Sequence, residues 1–327
     1  MLLDVRNLKI YFDTDNGIIK SVDDIDFGIS QGESVAIVGE SGSGKTVTSL
    51  SIISLLKDKN IIKSGEIIFN GVNILELNEK QMQNIRGREI SMIFQEPMTA
   101  LNPALKVGYQ ISEVYIRHFN LSKTEARNKS IEILKSVNIN NPEIVYRSYP
   151  FELSGGMRQR VMIAMAIASK PKLLIADEPT TALDVTVEHE IILLLKKLKR
   201  EFNTSLLFIS HDLSIVSEVA DYVNVMYAGK IVESGRVKDI FKNPKHPYTR
   251  GLIKARPVIG NYDRLYEIKG QIENPTNFKD NCRFCNRCQY KMSVCEKKVP
   301  EMIDYDGHKV ACFLYSEGDN NERIAKS

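Results

Sequence analysis

A glycine-rich segment near the start of the sequence has the residue types and spacing of a phosphate-binding loop. Gly39–Thr46 matches the pattern Gly, four residues, Gly, Lys, then Ser or Thr. Such a loop turns its N–H groups toward phosphate oxygens, Lys45 adds a cation at the β- and γ-phosphates, and the Thr46 hydroxyl is a ligand for Mg²⁺. It follows an apolar run, Ser34–Val38, and precedes a predicted helix over residues 44–56. We predict that a nucleotide is contacted by Gly39, Ser41, Gly42, Ser43, Gly44, Lys45 and Thr46.

Two acidic residues follow a second apolar run. Leu173–Ala176 has the composition of a buried strand and leads into Asp177 and Glu178. A carboxylate at the carboxyl end of such a strand can hold the water shell of Mg²⁺, which we predict for Asp177. Glu178 can then orient and polarise an attacking water. A helix-capping acid pair would look the same, but beside a phosphate loop the pair indicates nucleotide hydrolysis.

A second segment could also bind an anion. Leu153–Met157 offers the hydroxyl of Ser154 and the N–H groups of Gly155 and Gly156 at a predicted helix start. One γ-phosphate needs only one such cradle. The second segment therefore either wraps the same nucleotide or serves a nucleotide held by a partner chain.

Together these motifs resemble those of the nucleotide-binding subunits of ABC transporters. Leu153–Met157 resembles the signature motif of that family, with Met157 where many members have Gln. The resemblance implies that ATP is sandwiched between two ATPase subunits, each signature motif contacting the partner's ATP. It also implies roles for Gln95 as a Mg²⁺ ligand and reporter of nucleotide state, for Asp184 in the D-loop, and for His211 at the γ-phosphate.

The family also places an aromatic residue on adenine, near the end of the first strand. The register favours Phe12, with Tyr11 as the alternative, although either could be a core residue. Because Glu178, Lys45 and His211 are all present, the resemblance implies an active ATPase.

A segment near residue 245 narrows the resemblance. Asn243–Thr249 resembles a stretch typical of dipeptide/oligopeptide importers. That branch implies a peripheral subunit on the cytoplasmic face of the membrane. Its implied partners are a second, related ATPase subunit in a heterodimer, two integral membrane permeases and an external solute-binding protein. Import of nickel or another small solute remains an alternative, as does a non-transport ABC ATPase.

All five cysteines lie near the other end of the sequence. In a reducing cytosol such clustering indicates a metal or redox site. Cys282, Cys285 and Cys288 are spaced like the start of a ferredoxin run, but Cys295 follows only after six residues. The family resemblance instead implies a [4Fe–4S] cluster on Cys282, Cys288, Cys295 and Cys312, with Cys285 as the spare. Zinc remains the alternative because four thiolates suit it equally well.

The elements that must position these residues alternate between strands and helices. Strands are predicted at 8–12, 25–29, 34–38 and 64–70, and again from 173 onward. Helices are predicted at 107–119, 123–137 and 155–169, with breaks at 138–142 and 149–150. We predict an α/β fold with a mostly parallel sheet, to which the resemblance adds an antiparallel β subdomain. A helical subdomain is expected at about 96–170. The predicted domains are 1–255, the ATPase, and 256–327, a cysteine-rich domain that begins with a linker and ends in a polar tail.

Composition excludes other classes. The 327 residues carry 44 basic and 41 acidic side chains, and a net charge of +3 is too small to indicate a nucleic-acid partner. No apolar run approaches the about 18 residues that a membrane helix needs, and no signal peptide is apparent. We expect a cytosolic chain that docks onto integral membrane partners.

Overall fold

The computed structural model describes residues 1–58, 60–96, 100–181, 183–255 and 266–316. These residues form two compact units. Unit 1 comprises Met1–Leu2, Ile29–Ser34 and Asn73–Ile209, and unit 2 comprises Leu3–Gly28, Val35–Val72 and Ser210–Ser327. This division follows contacts in space, so the boundary predicted near residue 255 from composition stays a prediction. The predicted polar tail and residues 256–265 of the predicted linker lie outside the described residues.

Strands and helices alternate along most of the chain. The strands are β1 (Leu3–Thr14), β2 (Gly17–Ile29), β3 (Ser34–Val38), β4 (Ile61–Phe69), β5 (Val72–Asn73), β6 (Ile90–Ile93), β7 (Leu173–Asp177), β8 (Ser205–Ser210), β9 (Tyr222–Tyr227), β10 (Lys230–Arg236), β11 (Ile303–Tyr305) and β12 (His308–Val310). The α-helices are α1 (Lys45–Ile52), α2 (Glu79–Ile85), α3 (Val107–Phe119), α4 (Lys123–Ser136), α5 (Pro142–Arg147), α6 (Gly155–Ile167), α7 (Val185–Phe202), α8 (Leu213–Val219), α9 (Val237–Lys242) and α10 (Pro247–Lys254).

Unit 1 contains parallel strands and a group of helices. β6 pairs with β7 and β7 pairs with β8, both in parallel. All five residues of β7 are buried; the apolar run Leu173–Ala176 predicts this for the first four, and the fifth is Asp177. The helices α3, α4, α5 and α6 pack on one another, and they lie within the helical stretch that the sequence predicts. Asp177 is thus the buried last residue of β7, and Glu178 directly follows the strand.

Unit 2 contains a mixed sheet and an antiparallel sheet. β3 pairs in parallel with β9, whereas β10 pairs with β9, β12 with β10 and β11 with β12 in antiparallel fashion. The second sheet has the order β2-β1-β4-β5, and its β1 and β4 are antiparallel. The fold is therefore α/β with an added antiparallel sheet, as predicted. The sheet of β3 and β9–β12 is mixed, whereas a mostly parallel sheet was predicted, because β10, β11 and β12 join it through antiparallel pairing.

A buried carboxylate joins three parts of unit 2. Glu233 on β10 is fully buried, and it accepts hydrogen bonds from the backbone N–H groups of Lys245 (2.6 Å) and His246 (2.9 Å). The Nε2 atom of His308 lies 2.7 Å from its Oε1 atom. The carboxylate thus ties β12 and the start of α10 to β10.

The predicted helices 123–137 and 155–169 end one or two residues early, and two other predictions about helix ends were wrong for an identifiable reason. The helix predicted over residues 44–56 ends at Ile52, because Ser54 turns into the left-handed region with φ 51°. The break predicted at 138–142 contains the start of α5, in which Pro142 occupies the first turn. Proline is well tolerated there because the first helical N–H groups have no partner inside the helix.

Candidate functional site

The predicted phosphate loop connects β3 to α1. The helix begins at Lys45, and Gly44 precedes it in the left-handed conformation with φ 103°. The Lys45 ammonium is buried and donates hydrogen bonds to the carbonyls of Gly39 (2.8 Å) and Glu40 (3.1 Å). The first turn of the helix carries no acidic side chain, so nothing there opposes a bound anion. Thr46, the predicted Mg²⁺ ligand, lies exposed in this turn.

The predicted catalytic glutamate has an uncommon backbone conformation. Glu178 follows β7 with φ 45°, in a region that side-chain-bearing residues seldom occupy and that is often found at functional sites. Its N–H donates to the Ile209 carbonyl at 2.9 Å. Its Oε2 atom accepts hydrogen bonds from the Thr181 hydroxyl (3.2 Å) and from Nε2 of Gln95 (3.3 Å). Unit 1 therefore brings Gln95 and Glu178 together, and it adds Thr181, which the motif analysis missed.

The predicted signature segment starts a helix, as expected. Ser154 is the N-cap of α6, and its hydroxyl accepts a hydrogen bond from the Met157 N–H at 3.3 Å. A Cβ added to Gly155 would meet no atom within 4 Å, whereas one on Gly156 would lie 3.1 Å from a methyl group of Val187. Packing among the described residues therefore gives no reason for glycine at position 155.

Two further predicted residues lie at helix starts. Asp184 is the N-cap of α7, where its carboxylate accepts from the Val187 N–H at 3.0 Å. His211 is exposed between the end of β8 and Asp212, the N-cap of α8. The structure thus gives Asp184 a capping role of its own, beside the role that the family implies.

The two candidate adenine-stacking residues differ in their surroundings. Tyr11 on β1 donates a hydrogen bond from its hydroxyl to Asp23, and its ring centroid lies 6.0 Å from the Lys20 ammonium. Burial, followed by this hydrogen bond, raises the pKa of Tyr11. Phe12 is half-buried on the same strand. The choice of Phe12 over Tyr11 stays a prediction.

All five cysteines belong to unit 2. Cys285 and Cys295 are buried, and Cys295 interacts electrostatically with each of the other four thiols. Burial raises the pKa of Cys282 and of Cys312 to about 12. Over the ranges that the structure describes, no group of three or more His, Cys, Asp or Glu side chains is close enough to hold a metal ion.

The sequence analysis found no apolar run long enough to form a membrane-spanning helix. None of the helices in the described ranges combines the length and apolarity needed to cross a bilayer.

A phosphate loop that opens a helix, and a hydrogen-bonded glutamate after a buried parallel strand, define a P-loop ATPase. Two families match this sequence. Residues 22–181 match the ABC transporter family, and residues 232–295 match the C-terminal region of oligopeptide/dipeptide transporters.

Similarities to individual proteins and to a solved structure are consistent with these family matches. The chain is 50% identical over 319 residues to the oligopeptide transport ATP-binding protein AppD of Bacillus subtilis (strain 168), covering 97% of each chain. It is 45% identical over 313 residues to the oligopeptide transport ATP-binding protein OppD of Escherichia coli (strain K12), covering 95% of this chain and 93% of that one. The ATP-binding cassette MJ0796, solved as a dimer bound to ADP and Pi, has a TM-score of 0.65 and 27% identity, covering 72% of this chain and 98% of that one.

The chain belongs to the ABC transporter family, in the branch with the oligopeptide/dipeptide C-terminal region. It is an ATP-binding subunit with ATPase activity, which confirms the predicted class and enzyme type.

Proposed function

We propose that this ATPase powers the import of dipeptides or oligopeptides across the cytoplasmic membrane. The observation that carries the proposal is the near full-length similarity to AppD, which includes the C-terminal region of peptide transporters. The proposed assembly contains a second, related ATPase subunit, two integral permeases and an external solute-binding protein, with no nucleic acid. In it this chain is a peripheral subunit on the cytoplasmic face.

The proposed chemistry is positioning combined with electrostatic stabilisation. The amides of Gly39–Thr46 and the Lys45 cation offset the charge that develops on the γ-phosphoryl group. Glu178 orients the attacking water and accepts its proton, while His211 contacts the γ-phosphate. Thr46, Gln95 and, through water, Asp177 would hold Mg²⁺, which neutralises phosphate charge. The hydrogen bond between Gln95 and Glu178 supports a link between the metal ligand and the water-orienting group.

The signature segment supports a nucleotide shared between subunits. Gly155 has open space where a Cβ would be, at the start of a thirteen-residue helix without acidic side chains in its first turn. A bare N–H at such a position suits an incoming phosphate. We propose that Ser154, Gly155 and Gly156 contact ATP held by the partner ATPase, with Asp184 close to the same interface.

The proposed function is tested by transport in a defined system. The chain is co-purified from membranes with its permeases and second ATPase, and reconstituted in vesicles with the solute-binding protein. We expect ATP-dependent uptake of a radiolabelled tripeptide or pentapeptide, and no uptake when ADP replaces ATP. Uptake of nickel ions without peptide uptake would contradict the proposal, and so would ATPase activity in a complex that contains no permease.

We further propose that residues 256–327 form a cysteine-rich domain with a [4Fe–4S] cluster on Cys282, Cys288, Cys295 and Cys312. The chemistry of the donor set suits such a cluster because thiolates are its usual ligands, and the other three thiols interact electrostatically with that of Cys295. In the described structure these side chains are not close enough together to hold a metal ion, so the proposal requires them to move together when the cluster binds. The thiol of Cys285 already has polar neighbours, since its Sγ lies 3.6 Å from Oδ1 of Asn286 and 3.8 Å from Nδ2 of Asn281. This supports its exclusion from the ligand set. The cluster would cross-link the segment that holds it.

The cysteine proposal makes a paired prediction. When the protein is purified without air, Cys312→Ser should lose its iron and its visible absorption, because a ligand is removed. Cys285→Ser should keep both, and it serves as the matched control. Metal analysis and visible spectroscopy measure the outcome. Zinc in place of iron would contradict the cluster, and loss of metal in Cys285→Ser alone would contradict the ligand set.

A further inference from the structure

Glu40, the second residue of the phosphate loop, is held by groups from three parts of unit 2. Its backbone N–H donates to the hydroxyl of Tyr248 on α10 at 2.9 Å. Its Oε2 atom accepts a hydrogen bond from the guanidinium of Arg287 at 2.8 Å. Its carbonyl accepts from the Lys45 ammonium at 3.1 Å. One residue therefore links the lysine of the loop to α10 and to the cysteine-rich segment Cys282–Cys295.

Arg287 can hold the Glu40 carboxylate in one position because its own side chain is held in place by several contacts. Its side chain is only 6% exposed, against 31% for Glu40. The guanidinium donates to the carbonyls of Lys269 and Ile268, both at 3.1 Å, and to the Tyr227 hydroxyl at 3.3 Å. A planar guanidinium anchored through several N–H groups has little freedom left, so its bond to the carboxylate has a defined direction.

Aromatic packing holds the cysteine-rich segment against the same strand and helix. The ring centroid of Phe284 lies 5.1 Å from that of Tyr227 on β9 and 5.5 Å from that of Tyr248. The two tyrosine rings are 4.7 Å apart, and all three side chains are buried. Tyr248 belongs to this packed cluster, and Arg287 is hydrogen-bonded to another of its members, Tyr227. The two groups that hold Glu40 are therefore coupled through the same packing.

Arg283 provides a second attachment. Its guanidinium donates hydrogen bonds to the Asp23 carboxylate and to the Ala228 carbonyl. The next residue, Gly229, donates its N–H to the carbonyl of Ser43 in the phosphate loop at 2.9 Å. The cysteine-rich segment therefore reaches the loop at Glu40 directly and at Ser43 through the turn between β9 and β10.

We propose that Arg287 is a positioning residue for ATP binding, which holds the phosphate loop in its binding conformation through Glu40. The inference rests on the proposal that Gly39–Thr46 binds the triphosphate. It places a determinant of nucleotide affinity in the cysteine-rich segment, far from the ATPase motifs in sequence. The charge-assisted bond and the tyrosine hydroxyl fix the loop before ATP arrives, which lowers the ordering cost of binding.

The test measures Mg²⁺-ATP affinity of the purified full-length chain by calorimetry. Arg287→Ala should weaken binding by about tenfold, the scale of one charge-assisted hydrogen bond. Glu40→Ala should weaken it by a similar factor, and the double variant should be no weaker than either single one, because both remove the same interaction. Tyr248→Phe keeps the ring and leaves the cysteine segment intact, and it should weaken binding by about threefold. Arg236→Ala, which removes an exposed arginine of unit 2, is the matched control and should bind normally.

Steady-state kinetics separate positioning from a general loss of structure. In the assembled transporter Arg287→Ala should raise KM for ATP by about tenfold and change kcat by less than about twofold, and Arg287→Lys should restore part of the affinity. Unchanged ATP affinity in Arg287→Ala would overturn the inference, as would additive losses in the double variant. Lys45→Ala distinguishes the two proposals: if it binds ATP normally, the loop itself is not the site.

Discussion

Glu178→Gln is expected to bind ATP almost normally and to hydrolyse it at least about 10²-fold more slowly. The reason is that the substitution preserves hydrogen bonds made by residue 178. An amide oxygen can still accept the hydrogen bond from Thr181, and the backbone bond from residue 178 to Ile209 does not involve the side chain. The variant loses only the negative charge that polarises water, so the fold and the phosphate loop are preserved.

Both quantities are measured on the reconstituted transporter. Phosphate release gives the rate, and binding of Mg²⁺-ATP by calorimetry gives the affinity. Glu201→Gln is the control, because this exposed glutamate lies in α7. Turnover by Glu178→Gln within about twofold of the parent would show that another group orients the water.

Gly39→Ala is expected to damage both stability and nucleotide binding. An added Cβ would lie 2.1 Å from the carbonyl oxygen of Met226, which is a backbone atom of β9 and cannot turn away. Either the loop or the strand must shift, at a cost of about 3 kcal/mol. If the loop shifts, the Gly39 carbonyl no longer meets Lys45, and ATP affinity should fall about 10²-fold.

Gly155→Ala is the matched control for this prediction. Its added methyl group meets no atom within 4 Å, so the denaturation midpoint and the chain's own ATP affinity should be unchanged. The proposed shared site nevertheless predicts slow hydrolysis by this variant in the assembled transporter. Chemical denaturation measures the stability of both variants, and calorimetry measures their ATP affinity. A Gly39→Ala protein as stable as the parent would contradict the packing argument.

Local sequence patterns predicted much of the fold. β3 and α3 have the predicted bounds, because an unbroken apolar run and a helical apolar period are both strong signals. The strands β11 and β12 were missed because each has only three residues, too few for a period to show. Their pairing partners also lie far away in sequence or across a single turn, which local patterns do not encode.

Local sequence patterns also did not predict the contacts between distant residues of the candidate site. Glu178 was predicted from the acidic pair after an apolar run and Gln95 from the family resemblance, and the structure adds that they share a hydrogen bond across 83 positions. The motif gave Glu40 no role of its own, because its partner Arg287 lies 247 positions away in the sequence. Composition and spacing report which residues can do chemistry, whereas the contacts that orient them depend on the tertiary fold.

The buried carboxylate of Glu233 has a consequence for how the protein is made. Its histidine neighbour, His308, is synthesised 75 positions later, and β10 gains its outer partner β12 from the same region. On the ribosome, unit 1 has all of its residues once Ile209 has emerged. Unit 2 cannot complete its mixed sheet, or form the contact between Glu233 and His308, until β12 has been synthesised. The unit that contains the phosphate loop therefore receives β11 and β12 only after unit 1 has all of its residues.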